Sequence, residues 1–448
     1  MARGILTLIA CGALAPAAAA SPFSDPTAAR TAFTGSTEAT ATSITLNPAA
    51  IGLSNIDELY LAVTGTLDNI GITPAGGAHI ADVEDSGGAQ LAFLWHPGDF
   101  VTLGFDLRTP PGEQYVSAQP ALAYHVLGGR QRDYIATVAL SLKLTGDIFV
   151  GASLSHDNTF LRMHYLRDTG TTEAPADAED DVIVARSPWL SSLNLMLNVG
   201  AAVQIQKDVW IGVGYHTPPG SDIQSELSGS ATVTQPGGNV LGGRSVVDVS
   251  FPASVDGELR WRLPWRTPDE HKLDLRIGAR WEDTSRFTAY DIREYGPALA
   301  EAGIPEWTLR PRGLHDTTSG WAGVDEVDAG QRWRFGARLG FSTSSVDTAR
   351  TNALTIAPFS YTIDLGAQLR LSPSWLVQLT YGLQIFPPVH VSRSSFDPQD
   401  QIDCAAASYD YNAPSCVSVR DGYAIQAAEG EYTKFEHAAR LAFRYQLP

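Results

Sequence analysis

From about residue 56 onward, apolar and polar side chains alternate with a period of two. The clearest run is Trp375 to Ile385. Trp375, Val377, Leu379, Tyr381, Leu383 and Ile385 share one face; Gln378, Thr380, Gly382 and Gln384 share the other. Side chains alternate across a strand, so such a run predicts a β-strand with one apolar and one wet face. The runs around Leu273 to Trp281, Trp333 to Phe341, Tyr361 to Leu369 and Phe435 to Tyr445 repeat it. Periodicity alone does not say whether the apolar face points into a soluble core or out into lipid. The aromatics favour lipid. Trp375, Trp333, Trp281, Trp261, Trp210 and Tyr445 stand at the ends of apolar faces, where membrane barrels carry interfacial girdles.

About fourteen strands are predicted, near 56–70, 87–96, 99–109, 132–144, 147–167, 188–206, 208–229, 245–263, 271–291, 316–329, 333–345, 356–371, 375–391 and 431–446. Their connections sort by parity. One set is tight, as at Pro97-Gly98, Gly146-Asp147, Lys207-Asp208, Gly330-Gln331 and Ser372-Pro373, with 264–270 longer. The other set is mostly long: 71–86, 110–131, 168–187, 230–244, 292–315, 346–355 and 392–430. Short turns at one rim and long loops at the other predict an all-β transmembrane antiparallel barrel with both termini at the short-turn rim.

Ahead of the strands lies TAFTGSTEATATSITLNPAAIGL, Thr31 to Leu53, which is small-residue-rich and weakly polar. It is the expected plug, or hatch, of the lumen. Pro48 fixes φ at a corner and Asn47 bonds nearby backbone, although Asn-Pro also starts ordinary turns. Met1 to Ala20 reads as an export signal cleaved after Ala20. Leu8-Ile9-Ala10-Cys11 also looks like a lipoprotein cleavage box, with a short apolar stretch before it. The expected organisation is signal peptide 1–20, hatch 21–55 and barrel 56–448.

Composition narrows the function. A net charge of −18 over 448 residues argues against nucleic acid as a partner. No run of 18 apolar residues follows the N-terminus, so no helical span is expected. Cys404 and Cys416, close together in an exported chain, predict a disulfide that closes a loop. H-E-x-x-H, G-x-S-x-G and phosphate-loop motifs are absent, so no catalytic residue, metal or cofactor is predicted.

Four stretches carry a family resemblance: Gly35 through Asn47-Pro48-Ala49, Lys207 to Tyr215, Phe251 to Val255, and Trp281 to Phe287 with its Trp-x-x-x-Ser-x-Phe pattern. In this order, across nearly the whole mature chain, they resemble the FadL-type outer-membrane transport proteins. The resemblance implies a monomeric barrel in the outer membrane of a Gram-negative bacterium, in contact with its lipid and lipopolysaccharide. Asn47, Pro48 and Ala49 are then the hatch motif. Long-chain fatty acids or aromatic hydrocarbons are caught by outer loops and pass to an apolar pocket. They leave sideways through a gap made by a kinked strand, with no nucleotide consumed. The chain departs from the family pattern in its displaced terminal aromatic and its Cys404–Cys416 loop.

Candidate positions follow. Phe160, Arg162, Tyr165 and Arg167 lie at the loop end of a strand and are the expected substrate-binding residues. Gly104, Pro110 and Pro252 mark wall irregularities that border a lateral opening or merely bend a strand. The wet-face arginines Arg276, Arg280, Arg334, Arg338, Arg370, Arg440 and Arg444 suit pairing with Asp274, Glu282, Asp364 and Glu436 better than a substrate role. The acidic run Glu173 to Asp181 is expected in an outer loop. The same barrel would also suit an adhesin, a lipid-modifying enzyme or a general porin.

Overall fold

The computed structural model describes residues 32–112, 114–116, 122–168, 177–185, 195–218, 224–263 and 271–447. The expected export signal, its cleavage site and Cys11 lie outside the described residues. In chain order the strands are β1 (Glu58–Pro74), β2 (Ile80–Gly98), β3 (Val101–Thr109), β4 (Gln114–Val116), β5 (Gly128–Lys143), β6 (Ile148–Asp168), β7 (Asp177–Ala185), β8 (Leu195–Gln206), β9 (Val209–His216), β10 (Gln224–Thr234), β11 (Val240–Ser250), β12 (Ser254–Leu263), β13 (Lys272–Glu282), β14 (Ala289–Tyr295), β15 (Trp307–Pro311), β16 (Thr317–Val327), β17 (Trp333–Ser342), β18 (Ser360–Arg370), β19 (Trp375–Val391) and β20 (Gly430–Gln446).

Fourteen of these form a closed antiparallel ring: β1, β2, β3, β5, β6, β8, β9, β12, β13, β16, β17, β18, β19 and β20. The last strand pairs back onto the first, from Glu58↔Gln446 to Pro74↔Gly430. Closure satisfies the backbone groups that a lipid-facing sheet would otherwise leave unpaired.

The faces decide where the membrane is. Leu59, Leu61 and Val63 on β1, Leu103, Phe105 and Leu107 on β3, and Ile363 and Leu365 on β18 are exposed. Asp106, Asp256, Glu258, Asp274, Arg276 and Asp364 point inward and are buried. An apolar exterior around a charged interior is stable only in a bilayer, so the wall strands cross one. Trp95, Trp261, Trp333 and Trp375 stand at the short-turn rim; Tyr215, Trp281 and Tyr361 stand near the opposite end of the belt. Trp210 departs from the expected girdle. Odd-numbered residues of β9 face out, so Trp210 faces in, beneath the guanidinium groups of Arg260 and Arg262 at 5.0 and 5.2 Å.

Beyond the far rim the expected long strands break. The stretch 208–229 divides into β9 and β10, 245–263 into β11 and β12, and 271–291 into β13 and β14. Pro218 and Pro252 lie in two of these breaks, where a missing N–H ends a ladder. The outer pieces leave the wall: β7, β10, β11, β14 and β15 pair in series onto the upper half of β6. The inner face of this second sheet buries a large apolar cluster that includes Leu161, Val182, Leu227, Val247, Phe287 and Ile292. Several expected loops therefore hold strands, among them 230–244, which is mostly the β10–β11 hairpin. Residues 71–86 belong mostly to the β1–β2 hairpin, and the acidic run ends in β7, where Asp180 faces in and Asp181 faces out.

Candidate functional site: a plugged lumen, a wall notch and an outer chamber

Residues 32–53 lie inside the ring and are nearly all buried, with two short turns of 3-10 helix at Ala41–Ile44 and Ala50–Leu53. Asn47 has no exposed surface. Its Oδ1 accepts from the Ala49 N–H at 3.1 Å, and its Nδ2 donates to the carbonyls of Ser36 at 2.7 Å and Ala201 at 3.0 Å. Asn47 therefore fixes the plug corner and also ties it to β8. Four glycines on three neighbouring strands make the seat. A Cβ on Gly200 would overlap the Asn47 side chain; one on Gly212 or Gly214 would overlap the carbonyls of Ser36 or Leu46. On Gly151 it would overlap the backbone at Pro48-Ala49. The plug backbone approaches the wall as closely as the missing side chains allow.

Asn47→Ala removes three hydrogen bonds from a buried site, each worth about 1 kcal/mol. Amide hydrogen exchange across residues 35–50 is expected to rise while the wall strands stay protected. Unchanged exchange there would contradict this reading.

Charge holds the other end of the plug. Glu38 accepts from Arg334 of β17 through both carboxylate oxygens, each at 3.0 Å, and from Arg276 of β13. Thr37 bonds Glu258 of β12. Most of the remaining lumen charges are paired with each other: Arg338 with Asp364 at 2.9 Å, Arg280 with Glu282 at 2.8 Å, and Arg444 with Glu58 at 2.5 Å. A cavity of about 70 Å3 remains between plug and wall, bordered by Thr34, Leu46, Arg280, Trp321, Phe341 and Thr362.

The wall itself has a notch. The β2–β3 ladder ends at Ala89↔Thr109 and the β3–β5 ladder at Arg108↔Ile135. Pro110 and Pro111 follow and carry no N–H, so pairing with β5 stops there and resumes only in β4, from Gln114↔Arg130. The chain instead turns over Gly88, where a Cβ would overlap the Thr109 carbonyl. A space of about 300 Å3 opens there. It is lined by outward side chains (Leu61, Leu91, Leu107, Tyr134, Ala136) and by inward ones (Gln90, Arg108, Ile135).

Above the lumen is a chamber of about 470 Å3. Tyr165, Arg167, Trp307 and Arg310 line one side. The segment between β19 and β20 roofs it, with short helices Gln399–Ala406 and Val417–Arg420 joined through the Cys404–Cys416 disulfide. Gln401 of the roof donates to the Asp168 carbonyl at 2.9 Å. His125 donates through Nε2 to the Gln426 carbonyl at 2.9 Å. Burial and the neighbouring Arg310 lower the His125 pKa to about 3, so the ring stays neutral at ordinary pH.

This architecture matches solved structures. A FadL homologue from Pseudomonas aeruginosa superposes with a TM-score of 0.72 at 14% identity, covering 96% of this chain and 99% of that one. The toluene transporter TodX of P. putida gives 0.63 at 11% identity, covering 94% and 99%. The toluene transporter TbuX of Ralstonia pickettii gives 0.60 at 14%, covering 91% and 94%. The chain has the FadL fold. No family model and no curated protein sequence matches it, so the likeness is one of shape.

Within this FadL-type barrel the expected site residues separate. Odd residues of β6 face inward and even residues outward. Tyr165 and Arg167 therefore line the chamber, and Arg167 is held by Asp180 at 2.6 Å and Glu294 at 2.5 Å. Phe160 and Arg162 face outward, where Arg162 pairs with Asp181 at 2.8 Å, so the four do not form one site. Gly104 is not an irregularity. It sits in unbroken ladders on both sides, and a Cβ there would crowd Ile44 of the plug at 2.9 Å. Pro252 lies between β11 and β12, several wall strands from the notch. Tyr124, Trp307 and Arg310 were missed. They come from stretches with no clear alternation, and only the fold brings them together.

Proposed function

We propose that the protein is an outer-membrane channel for the passive uptake of hydrophobic small molecules. A molecule is captured in the outer chamber and descends to the space beside the plug. The hatch around Asn47, Pro48 and Ala49 shifts, and the molecule leaves sideways through the notch beside Pro110. The observation that carries this reading is the pairing of a sealed lumen with an interrupted wall. The plug denies water and ions a straight path, whereas the notch opens between apolar side chains towards the lipid. An apolar solute that leaves through it never has to be rehydrated. The solved neighbours named for toluene transport support monoaromatic hydrocarbons as one substrate class; long-chain fatty acids are the second class that the family resemblance implies. A cleaved export signal, a monomeric barrel and lipopolysaccharide around the outer rim belong to the same reading. A general porin would need an open lumen.

The test is uptake of labelled toluene and of a labelled long-chain fatty acid by cells carrying the protein, against cells carrying an empty vector. Faster accumulation of at least one is expected. Equal rates for both, with the barrel present in the membrane, would refute the proposal.

A further inference from the structure

The lumen arginines described above sit against carboxylates. On the outside of the wall two arginines do not. Even-numbered residues of β5 face out, and Tyr134, Val138, Leu140 and Leu142 are exposed. Leu142 to Tyr134 covers about 27 Å along the strand, at roughly 3.4 Å per residue. With a tilt of about 40° that is roughly 21 Å of height, close to a full apolar belt. Tyr134 therefore stands at the outer edge of the belt, where aromatic rings meet lipid headgroups. The next two outward residues on β5 are Arg132 and Arg130.

The adjoining strand adds to the charge. Arg130 pairs with Arg162 of β6, and Arg132 pairs with Phe160. Paired residues of an antiparallel ladder point to the same face, so Arg130 and Arg162 stand side by side above the lipid. Like charges directly opposite one another destabilise a sheet unless something offsets them. Two acidic side chains of β7 share this face, and both are engaged. Asp181 is held by Arg162 at 2.8 Å and Glu179 by His164 at 2.6 Å. Arg130 and Arg132 have no carboxylate within ion-pair distance among the described residues. The chain as a whole has a net charge of −18, so this cationic row is not a general property of its surface.

We propose that the outward ends of β5 and β6 hold the phosphorylated sugar headgroup of an outer-leaflet glycolipid, the lipid A end of lipopolysaccharide. Arg130, Arg132 and Arg162 take the phosphate, and the acyl chains lie over Tyr134, Val138 and Leu154. A guanidinium fork suits phosphate oxygens bidentately, and a phosphate between Arg130 and Arg162 offsets their repulsion. The exposed belt directly below supplies the apolar surface that a lipid needs and a free anion does not. Tyr134 and Ala136 also line the notch, so a lipid held here lays its chains at the mouth of the opening. The proposal rests on the outer-membrane location in the uptake reading and names the lipid beside its exit.

Equilibrium binding to the full chain, purified from outer membranes into detergent micelles, tests this with two labelled lipids. One is bis-phosphorylated lipid A; the other is the same lipid with its phosphates removed. The phosphorylated lipid is expected to bind about tenfold or more tightly, as one charge-assisted hydrogen-bonded pair implies. Arg130→Gln with Arg132→Gln should remove that advantage and leave the dephosphorylated lipid unchanged. Lys207→Gln with Arg332→Gln takes two exposed charges from the opposite rim and should change neither. If the first double variant does not fold, the ratio of the two lipids on the unaltered protein still decides. Equal binding of the two lipids, or an equal loss in both double variants, would overturn the proposal. Inorganic phosphate that displaces the lipid at micromolar concentration would assign the row to free phosphate and overturn the lipid assignment. These results leave the uptake reading standing, because accumulation of toluene and fatty acid decides it separately. Absence of the barrel from the outer-membrane fraction would count against both.

Discussion

Glu38→Gln unlatches the plug. In planar bilayers the unaltered protein is expected to conduct little, and the variant to show frequent openings. The side chain keeps its shape and loses its charge, so packing is almost unchanged. What changes is the balance around Arg276 and Arg334. Glu38, Asp325 and Glu258 together surround these two guanidinium groups. Breaking a buried pair outright costs about 3–5 kcal/mol; here Arg276 keeps Asp325 and Glu258, and Arg334 keeps Asp325, so the cost is a part of that. The barrel carries little of that cost, since its ladders do not pass through Glu38. The plug carries most of it, because among the described residues of the plug Glu38 is the only carboxylate bonded to the wall. Heat-modifiable mobility on gels should stay normal, as the wall is intact. Conductance equal to the unaltered protein would show that hydrogen bonds and shape hold the plug without the ion pairs.

Gly212→Val tests shape instead of charge. A Cβ at this position overlaps the Ser36 carbonyl, and the Asn47 amide nitrogen is 3.0 Å away. Backbone cannot swing aside as a flexible side chain does, so the plug must shift as a body. Overpacking of this kind costs about 1–3 kcal/mol. Valine suits a strand, so the wall itself should tolerate the change. The expected result is conductance like that of Glu38→Gln, with faster hydrogen exchange over residues 35–50. Gly65→Val is the control, since a Cβ there meets nothing within 4 Å. A silent Gly212→Val, or an equal effect of Gly65→Val, would mean that the seat glycines do not position the plug.

The wall was legible in the sequence because the bilayer writes a simple rule. Outward residues must be apolar along every strand that crosses, so β13, β17, β18, β19 and β20 each show the alternation without help from neighbours. The outer sheet was not legible. Its strands are apolar on the inner face only where they meet the cluster around Val247 and Phe287, and polar residues such as Asp248 and Arg293 pair outside. Without a lipid face, the pieces beyond Pro218 and Pro252 look like continuations of the wall. The breaks arise from packing, which no single stretch contains. The site shows the same division. Asn47 was marked by its own tripeptide, whereas its seat consists of glycines that look like any other glycine in a strand. Treating Phe160, Arg162, Tyr165 and Arg167 as one site ignored the period of two used to find the strand. The parity of their numbers already separated them.

On the proposed route apolar molecules leave through the wall and not through the plug. The most direct measurement is uptake of labelled toluene and a labelled long-chain fatty acid with Ala136→Trp, at matched amounts of folded barrel. Ala136 faces out and lines the notch beside Leu107 and Leu61, away from both plug and chamber. An indole there fills much of the opening and suits a lipid-facing wall. Uptake is expected to fall to the level of cells without the protein, while binding to the purified barrel is kept. Uptake at the unaltered rate with the notch filled would contradict it and point to a route past the plug.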